Sequence, residues 1–149
     1  MVFKFSFNVS GDNLHPEKFI NKIQDKFSLI SSFSPADKKP INNGEIYGFG
    51  GMTFWHCNKF STEKEIKIYE QDFVSFIESN YQMFIEYGAN EFELFIEIYY
   101  NGEQCNFEVF NKSILKLFGS MEISIPISVY TLDEQEILEW EGEISAIWI

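Results

Sequence analysis

The chain has 149 residues and a mass of 17.5 kDa, so we expect a single globular domain over residues 1–149. With 45% hydrophobic and 18% aromatic residues, it carries enough apolar surface to fold, which excludes intrinsic disorder. Its formal net charge of -12 and its lack of arginine argue against binding to nucleic acid or to anionic membranes, where basic side chains contact phosphates.

The charge is unevenly distributed along the chain. Residues 1–67 contain 9 lysines and 7 acidic residues, a net charge of +2, whereas residues 68–149 contain 2 lysines and 16 acidic residues, a net charge of -14. Acidic residues can serve solubility alone, but a surface of one sign can also steer a partner of the opposite sign. The second interpretation makes the C-terminal half a candidate surface for a basic partner.

Neither export nor membrane insertion is predicted. No apolar run approaches the roughly 20 residues that span a bilayer, and the N-terminus alternates in polarity instead of forming a signal-peptide core. We therefore expect a cytoplasmic protein. Two cysteines, Cys57 and Cys105, are too few for a disulfide framework and are expected as buried or free thiols.

The first half of the chain predicts two strands separated by a helix and a long connection. Alternating polarity over residues 2–9 predicts a strand, and a proline followed by apolar residues at helical spacing predicts a helix over residues 16–27. Residues 28–51 have the composition of an exposed connection, with one short strand at 45–49. The apolar run 52–57 predicts a buried strand.

A long helix follows this strand. Thr62 and Glu65 fit the capping box that opens a helix, and apolar residues at helical spacing continue to a C-terminal cap at Gly88. The pattern does not decide whether this helix is interrupted near Asn80. This helix is long enough to cover a sheet.

The strongest local pattern is a hairpin. Residues 91–100 and 103–110 flank Asn101-Gly102, the dipeptide typical of a two-residue turn. Counting outward from the turn predicts three apolar pairs on the buried side, which are Ile98 with Cys105, Ile96 with Phe107, and Leu94 with Val109. The opposite side would then carry four carboxylates beside two aromatic rings. These six residues are Glu91, Glu93, Phe95, Glu97, Tyr99 and Glu108.

Three further elements close the chain. Asn111 caps a short helix that Gly119 ends, and alternation over residues 121–130 predicts a strand near a sheet edge, since it contains Pro126. After an acidic turn at 133–136, apolar residues alternate with glutamates, which predicts a closing strand with a bend at its glycine. The glutamates on its outer side are Glu139, Glu141 and Glu143. This order of elements predicts an α+β fold, a largely antiparallel sheet with two or three helices packed on one face.

No motif predicts catalysis, a metal site or a cofactor. His15 and His56 lack metal-pair spacing, and His56 is expected at the surface or its boundary because it points away from its strand neighbours. A dyad of His56 with Cys57 is disfavoured because adjacent strand residues face opposite sides. Two alternatives stay open: a small-ligand pocket near Trp55, His56 and Tyr47, and an enzyme that uses His56 with a carboxylate.

Three segments carry a resemblance to a known family. They are Phe7-Asn8-Val9-Ser10-Gly11-Asp12-Asn13-Leu14-His15-Pro16-Glu17, Asn43-Gly44-Glu45 leading to Trp55, and Met121-Glu122-Ile123-Ser124-Ile125 leading to Val129-Tyr130. They resemble a bacterial family of small α+β proteins of unassigned function, which opens with a strand, a Ser-Gly-Asp turn and a Leu-Asp-Pro-Glu-like helix start. His15 stands where that family has an acid. The resemblance implies the fold and supplies no catalytic residue.

A second resemblance is to a class of proteins and does not rest on a sequence motif. Small acidic proteins without a catalytic motif resemble the immunity proteins that accompany bacterial toxins, including those of contact-dependent inhibition. This resemblance implies a protein that binds and blocks a cognate basic toxin domain, most readily a nuclease. The hairpin residues named above are the first choice for that contact, and the three C-terminal glutamates are the second.

Overall fold

A computed structural model describes residues 1–23, 26–102 and 106–147 of the chain. These residues form a seven-stranded mixed sheet and three α-helices, which confirms the α+β prediction. The strands are β1 (Val2–Gly11), β2 (Phe27–Phe33), β3 (Gly50–His56), β4 (Ser61–Thr62), β5 (Glu91–Tyr100), β6 (Ile123–Ser124) and β7 (Ile127–Thr131). The helices are α1 (Ile66–Glu86), α2 (Lys112–Ser120) and α3 (Glu134–Ile147).

The centre of the sheet is β1, which has neighbours on both sides. The strand order is β2-β3-β1-β5, with β6 and β7 beside β5, and β4 pairs with β1 where β3 has ended. Every pair is antiparallel except β5 with β6 and β5 with β7. The side that bears Phe3, Phe5 and Phe7 is the core face, and the side that bears Lys4 and Asn8 is the outer face.

The helix α1 covers the core face with aromatic side chains. Phe5 lies 5.4 Å from the ring of Phe73, and Phe7 lies 6.3 Å from Phe76, in tilted or edge-on contacts that aromatic pairs favour. Tyr69 also completes the backbone hydrogen bonds at the gap between β3 and β4. Its hydroxyl accepts the Phe5 N–H at 3.3 Å and donates to the Lys59 carbonyl at 2.9 Å.

The prediction for residues 16–27 was wrong. The proline does begin a helical turn, but only two short 3-10 turns form, at Pro16–Lys18 and Ile20–Lys22, before β2 begins. Phe27 stacks on Phe76 at 4.2 Å, and this contact together with pairing to β3 favours a strand over a longer helix. The strand expected at 45–49 is also absent from the described residues, which have a single isolated bridge there between Lys38 and Ile46.

The hairpin prediction was right for its first arm and wrong for its second. Residues 91–100 form β5, but residues 106–110 form no strand, and the predicted pairing of Ile98 with Cys105 lies outside the described residues. The predicted pairs of Ile96 and Leu94 with this arm are replaced, since β7 and β6 occupy that edge of β5. Residues 106–110 instead cross the core face, where the ring of Phe107 lies 6.0 Å from the ring of Phe3.

The last helix was predicted as a strand. Asp133 accepts the Glu136 N–H at 2.9 Å, and Glu136 accepts the Asp133 N–H at 3.0 Å, a reciprocal capping box that opens α3. The acidic turn was therefore a helix start. The side chain of Asn111 caps α2 at Ser113 and Ile114, as predicted, and α1 is continuous through Asn80. The capping box predicted for α1 is wrong: the helix begins at Ile66, its N-cap residue Glu65 makes no side-chain capping hydrogen bond, and the Thr62 hydroxyl donates to the Glu65 carboxylate. None of the described helices has the length and apolar character that crossing a membrane requires.

Candidate functional site

The helix α3 closes one end of the outer face and leaves the rest open. The ring of Trp140 packs 5.2 Å from Tyr99 and 5.3 Å from Phe60, over a fully buried Val2. Ile137 and Ile144 are also buried beneath this helix. A second, smaller apolar cluster therefore lies on the side of the sheet opposite α1, and Tyr99 belongs to it.

The middle of the open outer face is aromatic. Trp55, Ser6 and Phe95 lie side by side on three adjacent strands, because Ser6 is in register with both rings. Both rings are half-buried. The ammonium groups of Lys4 and Lys59 lie 4.6 Å and 4.8 Å from the centre of the Trp55 ring, where cations are attracted to its face.

A chain of polar contacts joins this middle to the covered end. The Lys4 ammonium lies 2.6 Å from Glu97, whose other carboxylate oxygen accepts the Tyr99 hydroxyl at 3.0 Å. Burial raises the pKa of Tyr99 to about 12, and the hydrogen bond to Glu97 adds to this shift because it favours the protonated phenol. The charge of Glu97 is thus balanced within the protein, and Tyr99 is covered by α3.

The opposite end of the outer face is acidic. Thr53 donates to Asn8 at 2.9 Å, and Asn8 donates to Glu93 at 2.9 Å, which holds that carboxylate in place. A shallow depression of about 350 Å³ lies here, and Glu91 is exposed at its rim. The predicted residues Glu91, Glu93 and Phe95 are therefore together on open surface.

Glu108 does not join them. The Lys67 ammonium, on α1, lies 3.4 Å from the Glu108 carbonyl, which places this segment on the α1 side of the sheet. The prediction that Glu108 shares a face with Glu91 is wrong, because it required residues 103–110 to pair with β5. In the structure β7 is the neighbour of that strand instead.

The three C-terminal glutamates separate because they lie on a helix and not on a strand. Glu139 and Glu143 are one turn apart on the exposed side of α3, and neither has a lysine within 4 Å in the described part of the chain. Glu141 is half-buried and pairs with the amino group of Met1. Residues 117–149 contain 7 acidic residues and no lysine. The exposed side of α3 is therefore a negative surface.

His56 is buried, contrary to the prediction of a surface position. It faces the core together with Phe54 and Met52, so strict alternation along β3 was the signal that could have placed it. Its Nε2 lies 2.9 Å from the Asp72 carboxylate, and its Nδ1 accepts the Asn58 N–H at 2.9 Å. With contacts at both ring nitrogens, His56 links β3 to α1.

The structure thus places His56 beside a carboxylate, as one alternative required, but it separates the other residues named in the alternative predictions. Trp55 lies on the outer face and His56 on the core face, so one pocket cannot be lined by both. Tyr47 stacks on Phe33 at 3.8 Å. Cys57 is exposed, and its Sγ lies 3.7 Å from His56 Nδ1, which already accepts the Asn58 N–H. Among the residues with a described position, no cluster of His, Cys, Asp or Glu is arranged to hold a metal ion.

One buried acid was missed by the sequence argument. Glu70 is 2% exposed, accepts the Phe110 N–H at 3.0 Å and lies 3.1 Å from the Lys67 ammonium. Its position on the apolar side of α1, one turn after Ile66, was the available signal. Glu70 holds the segment that crosses the core face against this helix.

Comparison with known proteins adds no relative, because no family model, curated protein or solved structure matches the chain. The resemblance to a bacterial α+β family and the resemblance in type to immunity proteins therefore stay predictions. Two surfaces of the described residues are candidates for binding a partner, the open outer face and the exposed side of α3.

Proposed function

We propose that this chain is an immunity protein that binds and blocks the basic domain of a cognate bacterial toxin, most readily a nuclease. The observation that carries the proposal is the exposed side of α3, where Glu139 and Glu143 have no lysine within 4 Å in the described part of the chain and belong to a stretch of 33 residues, 117–149, without any basic side chain. A nuclease binds a polyanion, so its active-site groove is positively charged. A second polyanionic surface can occupy that groove.

The division of roles between charge and apolar contact follows from general interface energetics. Exposed carboxylates raise the association rate with a basic partner and contribute less to the lifetime of the complex. Large rings that become fully covered dominate the dissociation rate. Phe95 and Trp55, half-buried in the middle of the outer face, are the rings that a partner can cover.

Solubility alone is the competing explanation for the acidic residues. If the acidic residues serve solubility alone, their position does not matter. Removing two carboxylates from any exposed site should then have the same effect on the association rate with the toxin domain. Glu78 and Glu86 on α1 provide the matched comparison, since both are exposed and neither has an ion pair among the described residues.

The test uses the toxin domain encoded beside this chain's gene, mixed with the purified full-length chain. The variant E139K/E143K and the control E78K/E86K each change the net charge from -12 to -8, because each substitution adds two charges. We expect the first variant to slow association at least about tenfold and the control to change it little, with the wild-type rate falling steeply as salt increases.

Three results would contradict the proposal. They are failure of the wild-type chain to inhibit the toxin, equal effects of the two double variants, and an association rate independent of salt. A further variant, F95A, distinguishes the contribution of the outer face to binding from that of α3. We expect it to speed dissociation while leaving the association rate nearly unchanged.

A further inference from the structure

The strand β7 forms one edge of the sheet, and its outward backbone groups can be identified. The Ile96 N–H donates to Pro126 at 2.9 Å, and the Leu132 N–H donates to Tyr100 at 2.8 Å. Between these two bonds the groups of a parallel strand alternate, so the N–H and C=O of Val129 point away from β5. On that side β7 pairs with no strand in residues 1–23, 26–102 or 106–147.

Two apolar side chains of β7 on the core side of the sheet are largely exposed. Ile127 is 54% exposed and Val129 is 56% exposed, although both are in register with buried isoleucines of β5. Next to Ile127 is a groove of about 520 Å³, whose walls include Phe107 and Leu115. The outward backbone and the groove form one continuous surface, which suits an extended chain with apolar side chains at alternate positions.

The two edges of the sheet are protected differently. Natural edge strands resist further pairing through charges, prolines or bulges. The opposite edge, β2, has a register shift at Ile30 that interrupts its pairing pattern. In contrast, β7 has the sequence Ile-Ser-Val-Tyr-Thr, with no charge and with regular pairing throughout. Among the described residues, it is the edge that is left open to a further strand.

We infer that β7 accepts, as an additional strand, an extended segment of a basic protein whose apolar residues alternate and whose ends carry lysine or arginine. The inference rests on the proposed function, since the basic toxin domain would supply this segment. Charge complementarity selects the occupant. The groove is lined by one lysine, Lys112, and one glutamate, Glu108, whereas the exposed residues that flank β7, Glu122 before it and Asp133 and Glu134 after it, are all acidic. A second copy of this chain, with a net charge of -12, would bring like charges together.

The test uses the labelled peptide Lys-Lys-Val-Thr-Val-Thr-Val-Lys-Lys and a version with glutamate at all four lysine positions. Fluorescence anisotropy at low salt measures binding to the full-length chain. We expect saturable binding of the lysine peptide, and at least about tenfold weaker binding of the glutamate peptide. Absence of saturable binding by the lysine peptide, or equal binding of both peptides, would overturn the inference.

The variant Val129→Pro tests the edge itself, because proline removes the outward N–H and leaves the groups that bond to β5. Val129→Thr is the control, since it keeps both the N–H and the branched shape. We expect the proline variant to lose at least about tenfold in peptide affinity and the threonine variant to stay within a factor of two. A second measurement separates loss of the edge from a folding defect in the variant. The wild-type chain is tested with a peptide that is N-methylated at the backbone nitrogens facing β7, and we expect this peptide to lose affinity by the same factor as the proline variant does.

Measurements with the toxin domain distinguish this inference from the proposed function. Inhibition that survives Val129→Pro overturns strand addition and leaves the immunity function standing. Peptide binding by a chain that fails to inhibit the toxin overturns the immunity function alone. A dimer in sedimentation velocity that Val129→Pro abolishes would make a second copy the occupant and overturn the choice of a basic segment.

Discussion

The side chains on the two faces of the central strands are packed and hydrogen-bonded in different ways. On the core face, rings pack against α1, and the buried polar groups of His56, Tyr69 and Glu70 each have hydrogen-bond partners. On the outer face, only the end beneath α3 is closed, and Trp55 and Phe95 remain half-exposed among paired polar groups. The comparison teaches that α1 packs along the core face, whereas α3 covers only one end of the outer face and leaves the rings in its middle partly exposed.

The largest expected difference between the faces concerns two phenylalanines. Phe7→Ala removes a fully buried ring that contacts Phe76, Phe84 and Phe92, so we expect it to lower the free energy of unfolding by about 3–5 kcal/mol. Phe95→Ala, on the outer face, should lower it by about 1 kcal/mol, because that ring is already partly in water. Urea denaturation measures both. Equal losses would mean that the outer face is a second core.

An intermediate effect is expected at Glu70, which has an exposed counterpart on the same helix. Glu70→Ala leaves the Phe110 N–H buried without its acceptor, so we expect a loss of about 1–3 kcal/mol in the free energy of unfolding. Glu78→Ala should change it by less than about 0.5 kcal/mol, because Glu78 is exposed. If the two variants were equally stable, the segment that crosses the core face would not depend on this carboxylate.

The smallest expected effect is the pH dependence of stability that two tyrosines contribute, one on each face of the sheet. Burial raises the pKa of Tyr69 above its ordinary value of 10.0, and burial with the Glu97 hydrogen bond raises the pKa of Tyr99 to about 12. Both folded-state pKa values exceed the unfolded value, so folding favours the protonated phenols. Their contribution to stability is complete below pH 10 and is lost as the pH rises through the folded values.

Ultraviolet absorbance of tyrosinate during alkaline titration checks this prediction. In the folded chain, Tyr99 should ionise near pH 12 and Tyr69 only when the core opens. The variants Tyr69→Phe and Tyr99→Phe assign the two transitions. Ionisation of Tyr69 before unfolding would show that α1 does not seal the core face.

Local patterns predicted the elements whose contacts lie close in the sequence. The alternation of β1 and β5, the end of α1 near Gly88 and the side-chain cap at Asn111 all depend on neighbours within a few residues. Of the mispredicted elements, α3 had a local sign in its capping box, whereas β2 depends on a distant contact. The strand β2 forms where Phe27 meets Phe76, a contact that no pattern within residues 16–27 encodes.

The candidate site was predicted in part for the same reason. Glu91, Glu93 and Phe95 share the outer face because alternation within one strand determines it. The separation of Glu108 from them depended on which strand pairs with β5. The separation of Glu141 from Glu139 depended on whether the last segment is a helix, and the Asp133-Glu136 capping box was its only local sign.

By itself, the amino-acid sequence determined the excess of negative charge toward the C-terminus, the residues of β1 and β5 that face the core, and the end of α1 near Gly88. Only the tertiary structure decided that β7, and not residues 106–110, lies beside β5, and that α3 covers the end of the outer face. The physical reason is that side-chain alternation has a period of two residues and is local, whereas the occupant of a strand edge is chosen by competition among segments far apart in the chain.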